Sequence, residues 1–447
     1  MASIASLMRR LNPESSLSRC SIEKACRLAG YGWRSRCFDP VATVRLMMLQ
    51  VLHGNCSCQE LMRVAGITQS ATAYCRARKR LPLDVLGYLV AAVTQTAKTA
   101  SDSLERWHGH RVLMMDGSSC SMPDTPELRR RFHLPGGVKP GCGFPVMHNL
   151  WLMDLASGLI RGFTWGPWNT HDLKDAGFAE SELHPGDVVV GDRAFGTFIH
   201  FSLLQNAGLL GVFRVFQNTR VDFRVGRRSA RQMPKNRRKG RPRSEYVRRL
   251  GKLDQLVVCF RPKKRPSYLT QEQFARIPRE ITLRELRYRI VRPGFRVSEV
   301  TLVTSLLDAE IYTKDALAEL YRLRWRVETN IRDLKQTMGM DVLRCCTVDG
   351  VTKELWSFVL VYNLVRLAMI EAGERQQVDP MHLSFKDTLN VLRYCPEQLK
   401  RLSIVVNPDR PGRDEPRVIK RRKDTYRYMT RPREVLRQEL GITRDTG

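Results

Sequence analysis

The stretch over residues 321–335, YRLRWRVETNIRDLK, constrains the fold more than any other. At about 100° per residue, Leu323, Val327, Ile331 and Leu334 gather on one arc of roughly 80°. Tyr321, Arg324, Glu328 and Lys335, spaced i, i+3, i+7 and i+14, fall within about 60° beside it. Such a segment is expected to be a helix with one face in a core. Its polar edge sets one carboxylate among cationic and phenolic groups, which suits a metal held beside a phosphodiester. A surface helix with a solvated charged face has the same pattern, so the stretch alone fixes a helix and no chemistry.

The rest of the chain narrows the choice. Its 447 residues are enough for a large core and two or three domains. Seventy-five Lys and Arg against 45 Asp and Glu leave a formal charge of +30, which calls for a polyanionic partner, most simply DNA or RNA. No basic amphipathic anchor or lipidation signal speaks for a membrane surface. Residues 1–10 lack the apolar run and cleavage site of a signal peptide. The most apolar window, 355–370, is interrupted by Asn363 and Arg366 and reads as a buried helix rather than a membrane span. The 12 Cys form no paired Cys-x-x-Cys set and no zinc pattern, so the thiols are expected reduced, in a reducing cytoplasm.

Residues 1–105 read as a helical N-terminal DNA-binding domain. Residues 40–52 carry apolar side chains at helical spacing, and the short segments 57–64 and 72–80, joined through Ala65-Gly66-Ile67, resemble a helix-turn-helix. Arg76, Arg78, Lys79 and Arg80 would be its DNA-facing cations. From about residue 110 the pattern turns to buried strands. Val112–Met115 runs into Asp116-Gly117-Ser118; residues 147–154 and 159–165 read as a hairpin; Val188–Val190 runs into Gly191-Asp192. Residues 193–209 are expected helical and 211–216 a strand. Residues 217–265 read as a loop or arm, with eleven Lys or Arg against Asp222 and Glu245 between 217 and 247. Within it, Arg237, Arg238 and Lys239 are candidate phosphate contacts. Strands follow at 256–260, 288–291 and 300–305, then helices over 315–338 and 351–372. The Gly-rich segment 136–141 lacks the Gly-Lys-Ser/Thr of a phosphate loop.

Two strands that each run into an Asp, with a Glu on a later helix, make a candidate carboxylate triad of Asp116, Asp192 and Glu328. Three converging carboxylates suit two hard divalent cations, Mg²⁺ or Mn²⁺, flanking a phosphodiester. Asp154 and Asp187 are rivals for the second position. Asp187 opens its strand and would point to the wrong end, whereas Asp192 follows the apolar run directly.

Taken together, Asp116-Gly-Ser, Gly191-Asp192-Arg193-Ala-Phe-Gly196 and the set Tyr321, Arg324, Glu328 and Lys335 resemble the DDE transposases of the insertion-sequence-four family. The last set matches that family's Tyr-x2-Arg-x3-Glu-x6-Lys signature at every position. The resemblance runs from about residue 37 to about 433 and takes in 73–78, 143–145 and 421–433. It implies an α/β (α+β overall) fold: an RNase H-like catalytic core, in the parts 106–216 and 311–375, interrupted by a mainly β, basic insertion at 217–310. A basic C-terminal region, 376–447, follows. It also implies metal binding by Asp116, Asp192 and Glu328, and phosphate binding at the transposon end by Tyr321, Arg324 and Lys335, with Arg193 beside Asp192 as a further DNA contact. Trp325 is expected either to pack under Tyr321 or to stack on DNA, core packing being the favoured reading. Family members with hairpin intermediates have a Trp in the insertion; here no Trp lies between 193 and 320, and Phe216 or Phe223 are the candidates for its place.

The expected activity is therefore that of a cytoplasmic, nucleoid-associated transposase. It would bind the terminal inverted repeats of double-stranded DNA, cut the ends with metal-activated water, and join the 3′-OH ends to target DNA as a homodimer. A metal-dependent nuclease on the same core, without strand transfer, and a catalytically silent DNA-binding regulator are the alternatives.

Overall fold

A computed structural model describes residues 17–101, 104, 106–136, 142–169, 183–290, 299–395, 398–399, 401–407 and 431–441. Residues 1–10, 137–141 and 421–423, named above, lie outside the described residues.

The chain opens on helices α1 (Arg19–Leu28), α2 (Pro40–Leu52), α3 (Cys58–Val64), α4 (Ala71–Arg80) and α5 (Leu83–Ser101). The first four begin at side-chain caps, from Ser18, Asp39, Ser57 and Ser70, each accepting a backbone N–H of the first turn. Gly66, between α3 and α4, sits at φ +62°, a turn that L side chains rarely adopt. These helices have no core of their own. Their apolar residues join those of the sheet and of the long helix α11, introduced below, in one cluster that includes Met47, Leu61, Leu86, Met114 and Phe358.

The sheet has nine strands in the order β3-β2-β1-β4-β5-β9-β8-β7-β6. They are β1 (Val112–Ser121), β2 (Val146–Asp154), β3 (Ile160–Pro167), β4 (Val188–Gly191), β5 (Leu210–Arg214), β6 (Glu245–Gly251), β7 (Asp254–Phe260), β8 (Glu280–Arg289) and β9 (Glu299–Thr304). β1, β4 and β5 are parallel, and β2 and β3 are antiparallel on their outer flank. This five-strand order with one reversed neighbour is the RNase H-like arrangement. The strands between Asp192 and Glu328 extend that sheet: β9 pairs antiparallel with β5, and β8, β7 and β6 follow. Part of the basic stretch 217–265 is thus strand rather than loop. Its Arg227 is buried, with Nη1 and Nη2 on Ser244 at 2.7 and 2.9 Å, because β7 and β8 close over it.

Helices α6 (Pro126–Phe132), α7 (Phe198–Asn206) and α8 (Gln271–Arg276) join the strands. After β9 come α9 (Lys314–Leu323), α10 (Trp325–Arg332), a π-turn (Asp333–Thr337), α11 (Val348–Gln376), α12 (Phe385–Tyr394) and α13 (Arg433–Glu439). α11 is long and apolar enough to cross a membrane, but 89% of its most apolar window is buried, as a core helix is.

Four local expectations change. Asp116 lies mid-strand, because β1 continues to Ser121 along β2. The segment after Asp192 turns before it winds: Asp192 Oδ1 accepts the Ala194 N–H at 2.7 Å, and the helix starts only after the Thr197 cap. The expected helix over 315–338 is not continuous. At Arg324 the bonds tighten to three-residue steps, Arg324 N to Tyr321 O at 3.2 Å and Val327 N to Arg324 O at 3.1 Å. At the π-turn they widen, Met338 N reaching Asp333 O at 2.9 Å. Trp325 does not pack in the core; it is 51% exposed, while Val327, Ile331 and Leu334 fill the buried face.

Gly191 shows how tightly the end of β4 is built. A Cβ there would lie 2.9 Å from Phe195 Cδ2 and 3.2 Å from Phe213 Cδ1, and both rings are buried. Gly191→Ala is expected to cost about 1–3 kcal/mol of stability by overpacking. Urea unfolding measures it; an unchanged midpoint would show that the rings give way freely.

Candidate active site

Strand register brings the carboxylates together. Met115 of β1 pairs with Gly191 of the parallel β4, so Asp116 on β1 and Asp192, just past the end of β4, come next in register. α10 packs over β1 and supplies Glu328. Val327, Ile331 and Leu334 seat this segment, each buried apolar side chain contributing about 1.5–3 kcal/mol.

Arg324 binds two of the three carboxylates. Its Nη2 donates to Glu328 Oε1 at 2.5 Å and its Nη1 lies 3.5 Å from Asp116 Oδ2. Gly117 N–H donates to Asp116 Oδ1 at 2.9 Å. Burial nonetheless pushes the Asp116 carboxyl up to about 6, with the negative charges of Asp192 and Glu328 adding to the rise and Arg324 opposing it. Asp116 therefore feels both other members of the triad. Burial also raises the Tyr321 phenol, against the pull of Arg324, Arg214 and Arg193. The Arg324 guanidinium lies 5.9 Å from the Tyr321 ring centre.

Asp116, Asp192, Glu328, Arg324 and Tyr321 thus form one neighbourhood, with Arg193 at its edge, where Nη1 donates to Gln217 at 3.0 Å. Lys335 does not join Arg324. The π-turn carries it farther along β1, toward Cys120, and it pairs with Asp341 at 3.0 Å. The rivals are occupied elsewhere. Asp154 Oδ1 accepts the Ala156 and Ser157 N–H groups at 3.0 and 2.9 Å, and Asp187 is paired with Arg111 at the opening end of β4.

The helix α4 separates its cations. Arg76, Lys79 and Arg80 are exposed, whereas Arg78 turns inward, with Nη1 on Gln50 at 3.2 Å and Nη2 on Cys345 Sγ at 3.3 Å. Arg78 falls on the packed side of α4, next to the buried Tyr74 and Ala77, so it is withdrawn from the DNA-facing set. Arg237, Arg238 and Lys239 are exposed on the segment before β6. Arg214 was missed in the sequence. It ends β5 as Asp192 follows β4, since Gly191 pairs with Phe213, and the strand-end position was its available signal.

The oxygen donors fit a hard divalent cation by chemistry. In this arrangement the Arg324 guanidinium stands between Asp116 and Glu328, and among the described residues no three His, Cys, Asp or Glu groups are close enough to hold one ion.

Comparison with known proteins identifies the family. Residues 107–364 match the transposase DDE domain family, more than half of the chain. Transposase InsG for insertion sequence element IS4, from Escherichia coli strain K12, is 27% identical over 382 residues, 81% of this chain and 79% of that protein. The piggyBac transposase synaptic complex with hairpin DNA is similar in structure with a TM-score of 0.42 at 11% identity, over 89% of this chain and 78% of that one. Members of the matched family generally depend on a divalent metal. The chain belongs to the DDE transposase family, and it is a transposase.

Proposed function

We propose that this transposase binds the terminal inverted repeats of an insertion sequence, cleaves the DNA ends by metal-dependent hydrolysis and joins the 3′-OH ends to target DNA. The observation that carries the reading is the strand register that sets Asp116 beside Asp192, with Arg324 bridging Asp116 and Glu328. Asp116, Asp192 and Glu328 would hold one or two Mg²⁺ or Mn²⁺ ions. When bound, such ions activate the attacking oxygen and stabilise the leaving one.

The chain's own groups do the positioning. Arg324 offers a planar fork to a phosphate, and binding there would draw it off Glu328 and Asp116. Tyr321 and Arg193 flank the same place, and Lys335 contacts the backbone one step along β1. In-line transfer needs orientation and charge neutralisation rather than a protein nucleophile. Trp325, exposed beside Arg324, offers a stacking face to a DNA base. The N-terminal helices (1–105) serve end recognition through Arg76, Lys79 and Arg80. The insertion (217–310) contacts backbone through Arg237, Arg238 and Lys239, and the C-terminal region (376–447) adds charge. Two ends cut in concert call for a homodimer acting on DNA in the cytoplasm.

The test is incubation of the full chain with linear DNA carrying the inverted repeats found beside its reading frame, a target plasmid and Mg²⁺. Joined 3′ ends, abolished by EDTA, are expected. Cleavage with no joining would leave a nuclease in place of a transposition reaction. The basic segment makes a separate prediction. Replacing Arg237, Arg238 and Lys239 with Ala is expected to flatten the slope of log affinity against log salt by roughly 2.7, since each phosphate contact contributes about 0.9. An unchanged slope in a salt titration of end binding would remove this segment from the interface.

A further inference from the structure

The helix that carries Glu328 is held in an unusual way. α10 is 8 residues long, follows the tightened step at Arg324, has no side-chain cap at its start and runs straight into the π-turn. At its start the partly exposed Arg324 lies 3.5 Å from Asp116, and Arg326 reaches Leu155 O at 3.5 Å and Asp379 at 3.6 Å. The apolar contacts of Val327, Ile331 and Leu334 hold it against the core but are non-directional. The buried directional contact comes from behind, from Arg366 of α11.

Arg366 is 2% exposed. Its Nη2 donates to Asn330 Oδ1 at 2.6 Å and lies 3.5 Å from Asp333 Oδ2. Its Nε donates to the Tyr362 hydroxyl at 2.9 Å, and that hydroxyl donates to Gly158 O at 2.9 Å, in the turn between β2 and β3. The guanidinium lies beside the stacked pair of Tyr362 and Phe385, 5.2 and 5.0 Å from their ring centres. Asn330 is two residues past Glu328, and Asp333 opens the π-turn that carries Lys335. One buried fork therefore ties both sides of the catalytic segment to α11 and to the β2–β3 turn. Asn330 is 0% exposed, and its Nδ2 finds no acceptor among the described residues, so its only directional tether there is Arg366.

We infer that Arg366 is a positioning residue for the transfer reaction: its buried guanidinium sets the height and rotation of α10, and so the place of Glu328 against Asp116. The inference rests on the reading of Glu328 as a catalytic carboxylate. A Lys keeps the charge but has no planar fork, and cannot hold Tyr362 and Asn330 at once in this geometry. Gly158 offers a second handle on the same group. A Cβ there would lie 2.9 Å from both Cζ and Nε of Arg366, forcing the guanidinium to shift, and its φ of +71° adds local strain.

The experiment compares wild type, Arg366→Lys, Arg366→Met and Gly158→Ala as full chains, reading end binding, end cleavage and amide hydrogen exchange. Arg366→Lys and Gly158→Ala are expected to fold, to bind ends within about twofold of wild type, and to cleave about 10- to 100-fold more slowly, the scale of a misplaced reacting group. Faster exchange should be confined to residues 325–337. Arg366→Met should do the same more strongly; if it fails to fold, the other two decide. Wild-type cleavage by Arg366→Lys, or exchange that rises equally across the sheet, would overturn the positioning role. Glu328→Gln run in parallel separates the two readings. An active Glu328→Gln would remove the premise, whereas a wild-type-like Arg366→Lys beside an inactive Glu328→Gln would sink this inference alone.

Discussion

Glu328→Gln is expected to lower end cleavage by about 10³-fold or more, because in the proposed role Glu328 would help hold the divalent ion, and such a carboxylate lowers the barrier to phosphoryl transfer by several kcal/mol. End binding should stay within about twofold, since the contacts proposed for recognition lie on α4 and on the basic segment before β6. The substitution changes one oxygen to an amide and keeps the volume, so packing on β1 is preserved. It also weakens the grip on Arg324, which now lies 2.5 Å from Glu328 Oε1. Arg324 would then lean toward Asp116, or toward a DNA phosphate. Gel-shift and cleavage assays on the same DNA separate the effects. A variant that cuts at more than about a tenth of the wild-type rate would take Glu328 out of the chemistry.

The sequence carried much of this site because its signals are local. An apolar run followed by an acidic residue marks a buried strand, and β1 and β4 do lie side by side with Asp116 next to Asp192, although Asp116 is mid-strand rather than at an end. The periodicity of 321–335 correctly gave the buried face of Val327, Ile331 and Leu334. It failed where it assumed one uniform helix. The tight step at Arg324 and the π-turn change the winding, and no side-chain pattern announces either. Arg78 failed for a related reason. Helical periodicity places it beside Arg76 and Lys79 as one more cation, but Gln50 and Cys345, far off in sequence, draw it inward. That β6 to β9 extend the core sheet was equally out of reach, because strand pairing between β5 and β9 is set by distant register.

Asp116→Asn is expected to stabilise the metal-free protein at neutral pH while abolishing cleavage. Burial, with Asp192 and Glu328 nearby, raises the Asp116 carboxyl from 3.8 to about 6. The native chain therefore binds a proton more tightly there than the unfolded chain does. Between about pH 4 and pH 6 the native state holds more protons, so stability falls as pH rises through that window, and above it the wild type carries the whole cost. About two pKa units correspond to roughly 3 kcal/mol, which is an upper figure because the side chain keeps 22% of its exposure. Asn does not titrate, and its Oδ1 can still accept the Gly117 N–H, so its curve lacks this slope. The attraction to Arg324 is lost, but that attraction already enters the net rise and is outweighed by burial. The gap between variant and wild type should thus be small near pH 4, open as pH approaches 6, and stay open at pH 7. Divalent metal at neutral pH should narrow it from the other side, by stabilising the wild type and not the variant. Urea midpoints in EDTA across this range decide the matter. A variant less stable than wild type at pH 7, or a gap that does not change with pH, would mean that Arg324 fully compensates Asp116, and that this carboxylate is held for structure rather than against it.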